Sequence, residues 1–150
     1  MERDATRAVE WECSRLVNAF YGALDEKRYD ALANLFTSDG VWNRLGKDLV
    51  GPAGILAAMQ ERTDWLTAHI VTNIRVDVVD ADHAETIQYI TLYRHEGWQP
   101  EQGPAPVVLP LGILQHWDKH VRVGGNWKIA HKRSRAMMVD RTTVTHYDKA

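Results

Sequence analysis

A change in the period of the apolar residues near Arg62 constrains this fold more than any other feature of the chain. From Ala5 to Leu24 the positions Val9, Cys13, Leu16, Val17, Phe20 and Leu24 recur at helical spacing, with Glu10, Glu12, Arg15 and Asn18 between them. Tyr29 to Phe36 repeats the pattern until Thr37-Ser38-Asp39-Gly40 stops it, which predicts a second, shorter helix. Val41 to Leu45 reads as a short strand. Gly51-Pro52 then opens a third helix, expected to reach about Arg62, because a first helical turn tolerates a missing N–H. Beyond it the apolar residues alternate. Strands are predicted over His69 to Asp80, Ala84 to His95, Val107 to Val123 and Trp127 to Met138. They are separated by Asp80-Ala81-Asp82, a proline-rich loop from Trp98 to Pro106, and Gly124-Gly125-Asn126. Helices followed by a meander of long strands give an α+β layout, with helices covering one face of a sheet.

The 150 residues suit one domain with a substantial core. A formal charge of -2, from 18 Lys and Arg against 20 Asp and Glu, leaves no electrostatic footprint for nucleic acid or an anionic membrane, so a small molecule is the expected partner. The longest apolar stretch, Pro104 to Leu114, is broken by Pro106, Pro110 and Gly112 and does not read as a membrane helix. Met1-Glu2-Arg3-Asp4 lacks the apolar core of a signal peptide, and a cytoplasmic location is expected. The single cysteine, Cys13, excludes an internal disulfide and falls in phase with the first helix's core face. The chain carries no G-x-G-x-x-G, Walker loop or nucleophile elbow, which disfavours cofactor-dependent redox chemistry and phosphoryl or acyl transfer; no cofactor is expected.

The phrase Leu24-Asp25-Glu26-Lys27-Arg28-Tyr29-Asp30-Ala31-Leu32, leading to Leu35-Phe36 and later to His69 with Asn73, resembles the nuclear transport factor 2-like superfamily, and within it the SnoaL-like branch. The resemblance runs from about Ala5 to Met138, so residues 1–150 are expected to form one SnoaL-like domain, with a core over about 5–138 and a C-terminal tail over 139–150. It implies a cystatin-like, cone-shaped sheet, curved and mixed or antiparallel, wrapped around three N-terminal helices with an apolar pocket at its open end. Members include scytalone dehydratase, hexachlorocyclohexane dehydrochlorinase, ketosteroid isomerase and small polyketide cyclases. In the first two a carboxylate and a histidine form a cofactor-free elimination dyad, and the resemblance places these at Asp25 and His69. Leu24 stands where scytalone dehydratase has a tyrosine, which separates this chain from that enzyme's substrate. The β subunits of ring-hydroxylating dioxygenases resemble the chain at the same places and are largely structural, which leaves a non-catalytic carrier or scaffold as the alternative.

A carboxylate bonded to one imidazole nitrogen fixes the tautomer, frees the other nitrogen to accept a proton and stabilises the resulting imidazolium. An ordinary imidazole titrates near pH 6.5, suited to base catalysis near neutrality. From the residues alone, Asp25 reads equally as a cap for the second helix and His69 as a core histidine. By period two, His69, Val71 and Asn73 share one strand face while Ile70, Thr72, Ile74, Val76 and Val78 share the other. Either both faces are buried, one of them by a partner subunit, or a bulge beyond Asn73 switches the phase; two-sided burial in a homo-oligomer, a dimer or trimer, is the expectation.

Trp127, Ile129, His131, Arg133, Arg135 and Met137 alternate in the same way, so His131 and Arg133 are expected at the pocket mouth, stabilising developing negative charge. Trp42 and Trp65 would supply flat apolar walls for a cyclic or aromatic ligand, and Asn73 a polar contact. His116, Asp118 and His120 share a strand face, but strand neighbours two apart are separated by about 6.6 to 6.8 Å, which does not suit one metal ion. Tyr89, Tyr93 and Trp117 read as sheet packing or subunit contact. The expected function is a cofactor-independent lyase or isomerase for a small cyclic or aromatic compound.

Overall fold

The computed structural model describes residues 2–142. The expected tail over 139–150 therefore lies mostly outside the described residues. Helix α1 spans Arg3–Asp25 and buries the predicted stripe, with Cys13, Val17 and Phe20 fully enclosed. Burial pushes the Cys13 thiol up to about 12, with Glu12 adding to the shift, so it behaves as a small core residue. The helix ends in a Schellman turn: Arg28 N–H donates to the Ala23 carbonyl at 2.8 Å and Lys27 N–H to the Leu24 carbonyl at 3.3 Å, with Lys27 at φ 56. This turn places Asp25 in the last turn of α1.

Helix α2 covers Tyr29–Ala33, shorter than its pattern predicts. Leu35 and Phe36 are drawn into the sheet instead: Ile129 N–H donates to the Leu35 carbonyl at 2.8 Å, and Phe36 pairs with Ile129. Strand β1 is accordingly longer than expected, Phe36–Arg44, and turns through Leu45 (φ 53) and Gly46 (φ 77) into a strand not predicted, β2, Lys47–Val50. Two successive positive φ values make the hairpin turn that Asn-Gly usually signals, and Leu-Gly conceals it. Helix α3, Gly51–Gln60, starts with its proline in the first turn.

Strands β3 (Leu66–Val78), β4 (His83–His95), β5 (Gly112–Val123) and β6 (Asn126–Val139) follow. The predicted start of β5 at Val107 is corrected to Gly112, since Pro106 and Pro110 cannot donate to a ladder and Val107 and Leu109 stand in solvent. The order is β2-β1-β6-β5-β4-β3, antiparallel except for β1 beside β6, which makes an open mixed sheet. Helix α1 packs against β3, β4 and β6. One core gathers Phe20, Leu32, Phe36, Trp42, Ile55, Met59, Ile90 and Ile129 between helices and sheet. Among the described residues no helix is long and apolar enough to cross a membrane.

Two bulges decide which side chains face inward. In β3, Asn73 and Ile74 together oppose Gln88, because the register steps from Thr72–Tyr89 to Arg75–Ile87. Asn73 sits at φ 52, the left-handed conformation of a bulge. Thr67, His69 and Val71 therefore face inward before the bulge, and Ile74, Val76 and Val78 after it. Of the two alternatives for this strand the structure shows the bulge, and its phase switch brings apolar residues from both nominal faces of β3 to the inner side. In β6, Lys119 pairs with His131 and His120 with Ile129, leaving Ala130 extra. Trp127 and Ile129 point inward as expected, and then Lys132 does, not His131.

Candidate active site

The inner faces of β3, β4 and β5, the last turns of α1, the end of β1 and the segment that follows α3 enclose a cavity of about 440 Å³. Phe20, Leu24, Trp42 and Leu114 form its apolar interior, and Trp65, Arg62 and Arg94 stand near its rim. Trp42 meets Phe20 edge-on, ring centres 5.0 Å apart, while the Arg94 guanidinium lies 3.9 Å above the Trp65 ring.

Asp25 reaches across from the end of α1 to the start of β3. Its Oδ2 accepts the His69 backbone N–H at 2.8 Å, and its Oδ1 accepts the Thr67 hydroxyl at 2.8 Å and lies 2.5 Å from His69 Nδ1. Burial opposes the charge on Asp25, but the His69 ring, its backbone N–H and Thr67 outweigh it and hold the carboxyl below its ordinary value. Arg62 braces the arrangement from α3's end, donating to Thr67 Oγ1 at 3.2 Å. Asp25 does not cap α2, whose N-cap is Arg28 with no side-chain bond. With Nδ1 donating to Asp25, Nε2 of His69 carries the lone pair, and His69 lines the cavity.

Trp42 and Trp65 line the same cavity. Three residues predicted for it lie elsewhere. Asn73 is exposed on the β3 bulge. Arg133 lies on the outer sheet face over Trp117, 5.0 Å from the ring centre, with Arg135 over the same indole at 5.4 Å. His131 precedes it on that face. The physical reason is the same in each case: an extra residue shifts the strand phase, which period-two reading cannot anticipate.

A buried polar network occupies the inner face of β4, β5 and β6 instead. Lys132 Nζ, fully enclosed, donates to both Asp118 oxygens at 2.9 Å and lies 4.3 Å from the Phe20 ring centre. Gln88 donates to Asp118 Oδ2 at 2.8 Å, Thr86 bonds His120 Nε2 at 2.9 Å, and Tyr21 Oη lies 2.7 Å from His116 Nδ1. Burial first, then the Lys132 charge, drives His116 well below the ordinary histidine value; burial lowers His120 to about 4. Each of His116, Asp118 and His120 is thus engaged by a neighbouring side chain of the network. A strand face reading His-x-Asp-x-His beside a buried tyrosine signals such a network as readily as it suggests a metal.

With this geometry in view, residues 5–133 match the SnoaL-like domain. The chain belongs to the SnoaL-like domain family. Its fold is shared with a candidate scytalone dehydratase from Novosphingobium aromaticivorans, at 20% identity over 99% of both chains and a TM-score of 0.79. Hexachlorocyclohexane dehydrochlorinase LinA-type3 from Novosphingobium barchaimii matches at 20% identity over 93% of both chains, with a TM-score of 0.76. A nuclear transport factor 2-like protein with a cystatin-like fold, also from Novosphingobium aromaticivorans, has 18% identity, covers 88% of this chain and 85% of its own, and has a TM-score of 0.73. No curated protein sequence matches the chain. At these identities the SnoaL-like architecture is shared, and activity has to be argued from the site.

Proposed function

We propose that this SnoaL-like protein is a cofactor-independent lyase or isomerase for a small cyclic or aromatic compound, with His69 as general base and Asp25 as its orienting carboxylate. The observation that carries this reading is the 2.5 Å contact between His69 Nδ1 and Asp25 Oδ1 at the edge of an apolar cavity. Asp25 accepts three hydrogen bonds, two of them from His69 itself, so ring and backbone are held together. Nε2 takes a proton from a carbon next to an activating carbonyl, and the C–H electrons form the new double bond. In an elimination the leaving hydroxyl departs with its bonding pair and receives a proton, so that water is released; in an isomerisation the proton returns to another carbon. Asp25 stays ionised and stabilises the imidazolium.

With His131 and Arg133 outside, the groups able to receive developing negative charge are those that line the cavity, Arg44, Arg62, Arg94 and His116. Trp42 and Trp65 suit a flat ring.

The test is turnover of a panel of cyclic and aromatic hydroxy-carbonyl compounds, followed by exchange of solvent deuterium into the position next to the carbonyl. His69→Ala should lower turnover and exchange by about 10² to 10⁴-fold with the fold intact. Wild-type protein inert in both assays, or a folded His69→Ala variant of unchanged activity, would move the assignment to a ligand carrier or scaffold subunit.

A further inference from the structure

We propose that His116 is a second functional histidine of opposite polarity, presenting an Nε2–H to the cavity that binds a carbonyl oxygen of the ligand, with Tyr21, Gln88, Asp118 and Lys132 as positioning residues. This deepens the general-base reading and rests on it for the reaction, although not for binding.

Three observations lead to it. His116 lines the cavity, is 6% exposed, and its Nε2 is a buried nitrogen without a hydrogen-bond partner. An orphaned buried polar atom on a cavity wall costs stability, which marks it as a group kept for a ligand. Second, His69 and His116 flank one ring: their centres lie 5.6 and 5.7 Å from that of Tyr21. Both histidines are therefore within reach of one small ligand.

The third observation concerns direction. The Lys132 ammonium is donor-only and gives two hydrogen bonds to Asp118, which is acceptor-only when ionised. Gln88 must then offer its amide N–H to Asp118 Oδ2, as the 2.8 Å bond requires, and the Gln88 side chain also interacts with the Tyr21 phenol. The Tyr21 phenol, kept protonated by burial and by the Asp118 charge, has its own hydrogen to give, and the partner at 2.7 Å is His116 Nδ1. A neutral imidazole that accepts at Nδ1 carries its hydrogen on Nε2. Lys132 and Gln88 both donate into Asp118, and the donation toward the cavity begins at the Tyr21 hydroxyl and passes through His116. A carboxylate on Nδ1 makes His69 an acceptor toward the ligand, whereas a phenol on Nδ1 makes His116 a donor.

The pairing selects a ligand class. A compound with an acidic C–H and a carbonyl held about one ring away engages both nitrogens, and the oxygen that gains negative charge as the proton leaves faces a preformed donor. No proton need transfer from His116, since a neutral donor stabilises the enolate by hydrogen bonding alone.

Two measurements on the full chain test this. Long-range ¹H–¹⁵N spectra at pH 7 should show His116 neutral and protonated at Nε2, and Tyr21→Phe, which preserves the ring, should shift the tautomer ratio toward Nδ1–H. An Nδ1–H or charged His116 in the wild type, or an unaltered ratio in Tyr21→Phe, would overturn the assignment. The second compares 1-tetralone with tetralin, the same ring system without the oxygen. The ketone should bind about tenfold tighter, as expected for one buried hydrogen bond, and should move the His116 Nε2–H resonance. His116→Phe should abolish that preference while His69→Ala retains it. Equal binding of the two compounds, binding of neither, or a preference unchanged in folded His116→Phe would reject the donor role. Loss of turnover in His69→Ala with the ketone preference intact separates failure of the base reading from failure of this one.

Discussion

Asp25 and His120 show how a single side chain can be read from its surroundings. Asp25→Asn should lower activity almost as far as His69→Ala, because an amide can hold the ring in the wrong tautomer and cannot stabilise the imidazolium; a loss of about 10² to 10⁴-fold in kcat is expected. Asparagine there keeping wild-type kcat would mean that the carboxylate is structural. His120 makes a prediction in pH. Its folded value of about 4 lies below the ordinary 6.5, so between these values the unfolded chain binds more protons and stability falls as the pH falls. At 1.36 kcal/mol per unit this amounts to about 3 kcal/mol, and lowered His116 adds in the same direction. Asp25, whose carboxyl is lowered, contributes stability that is present above the ordinary carboxylate range and lost only as the pH drops through its folded value. Urea unfolding at pH 7, 6 and 5 should show this slope, and His120→Gln should flatten it.

At the scale of elements, the two bulges matter more than any helix boundary. Asn73 at φ 52 lets β3 present His69 before the bulge and Ile74 after it on the same inward side. Asn73→Gly should leave stability within about 1 kcal/mol of the wild type, whereas Asn73→Val should cost about 1 to 2 kcal/mol or more, since a β-branched residue resists left-handed backbone. Chemical denaturation of the pair checks this, and a harmless valine would mean that the bulge is not enforced. In β6 the extra residue at Ala130 turns Lys132 inward against Asp118. Lys132→Met alone should cost about 3 to 5 kcal/mol by leaving Asp118 buried and unpaired, and Lys132→Met with Asp118→Leu should recover much of that loss. Equal destabilisation by the single and double variants would show that the pair is not the unit of stability.

For the whole molecule, the sheet's outer face carries Tyr89, Tyr93 and Trp117 half-buried, with Arg133 and Arg135 over the indole. Self-association through this face is the expected outcome, a dimer or trimer at micromolar concentration by light scattering, with Trp117→Glu shifting it toward monomer. A wild-type monomer under those conditions would count against it, since the β3 bulge already explains part of the apolar excess that suggested a partner.

What the sequence determined by itself is the architecture and part of the candidate site. A 3.6-residue period from Val9 to Leu24 needs nothing beyond its own chain to declare a helix, and alternation along β4 or β5 similarly declares a strand. Asp25 and His69 were legible because a family resemblance fixed their places, whereas Trp42 and Trp65 read equally as pocket wall or core filling, and Trp42 serves as both. Tertiary structure decided the rest. Phe36 left its helix because Ile129 offered a strand, and Leu45-Gly46 made a hairpin without its usual signal. Asn73, His131 and Arg133 faced outward because one inserted residue reverses every side chain beyond it. The same reversal brought Lys132, unnoticed in a run of basic residues, into contact with Asp118. Period is a local property and survives in sequence, whereas phase depends on which residue of a neighbouring strand lies opposite, and only the assembled sheet fixes that.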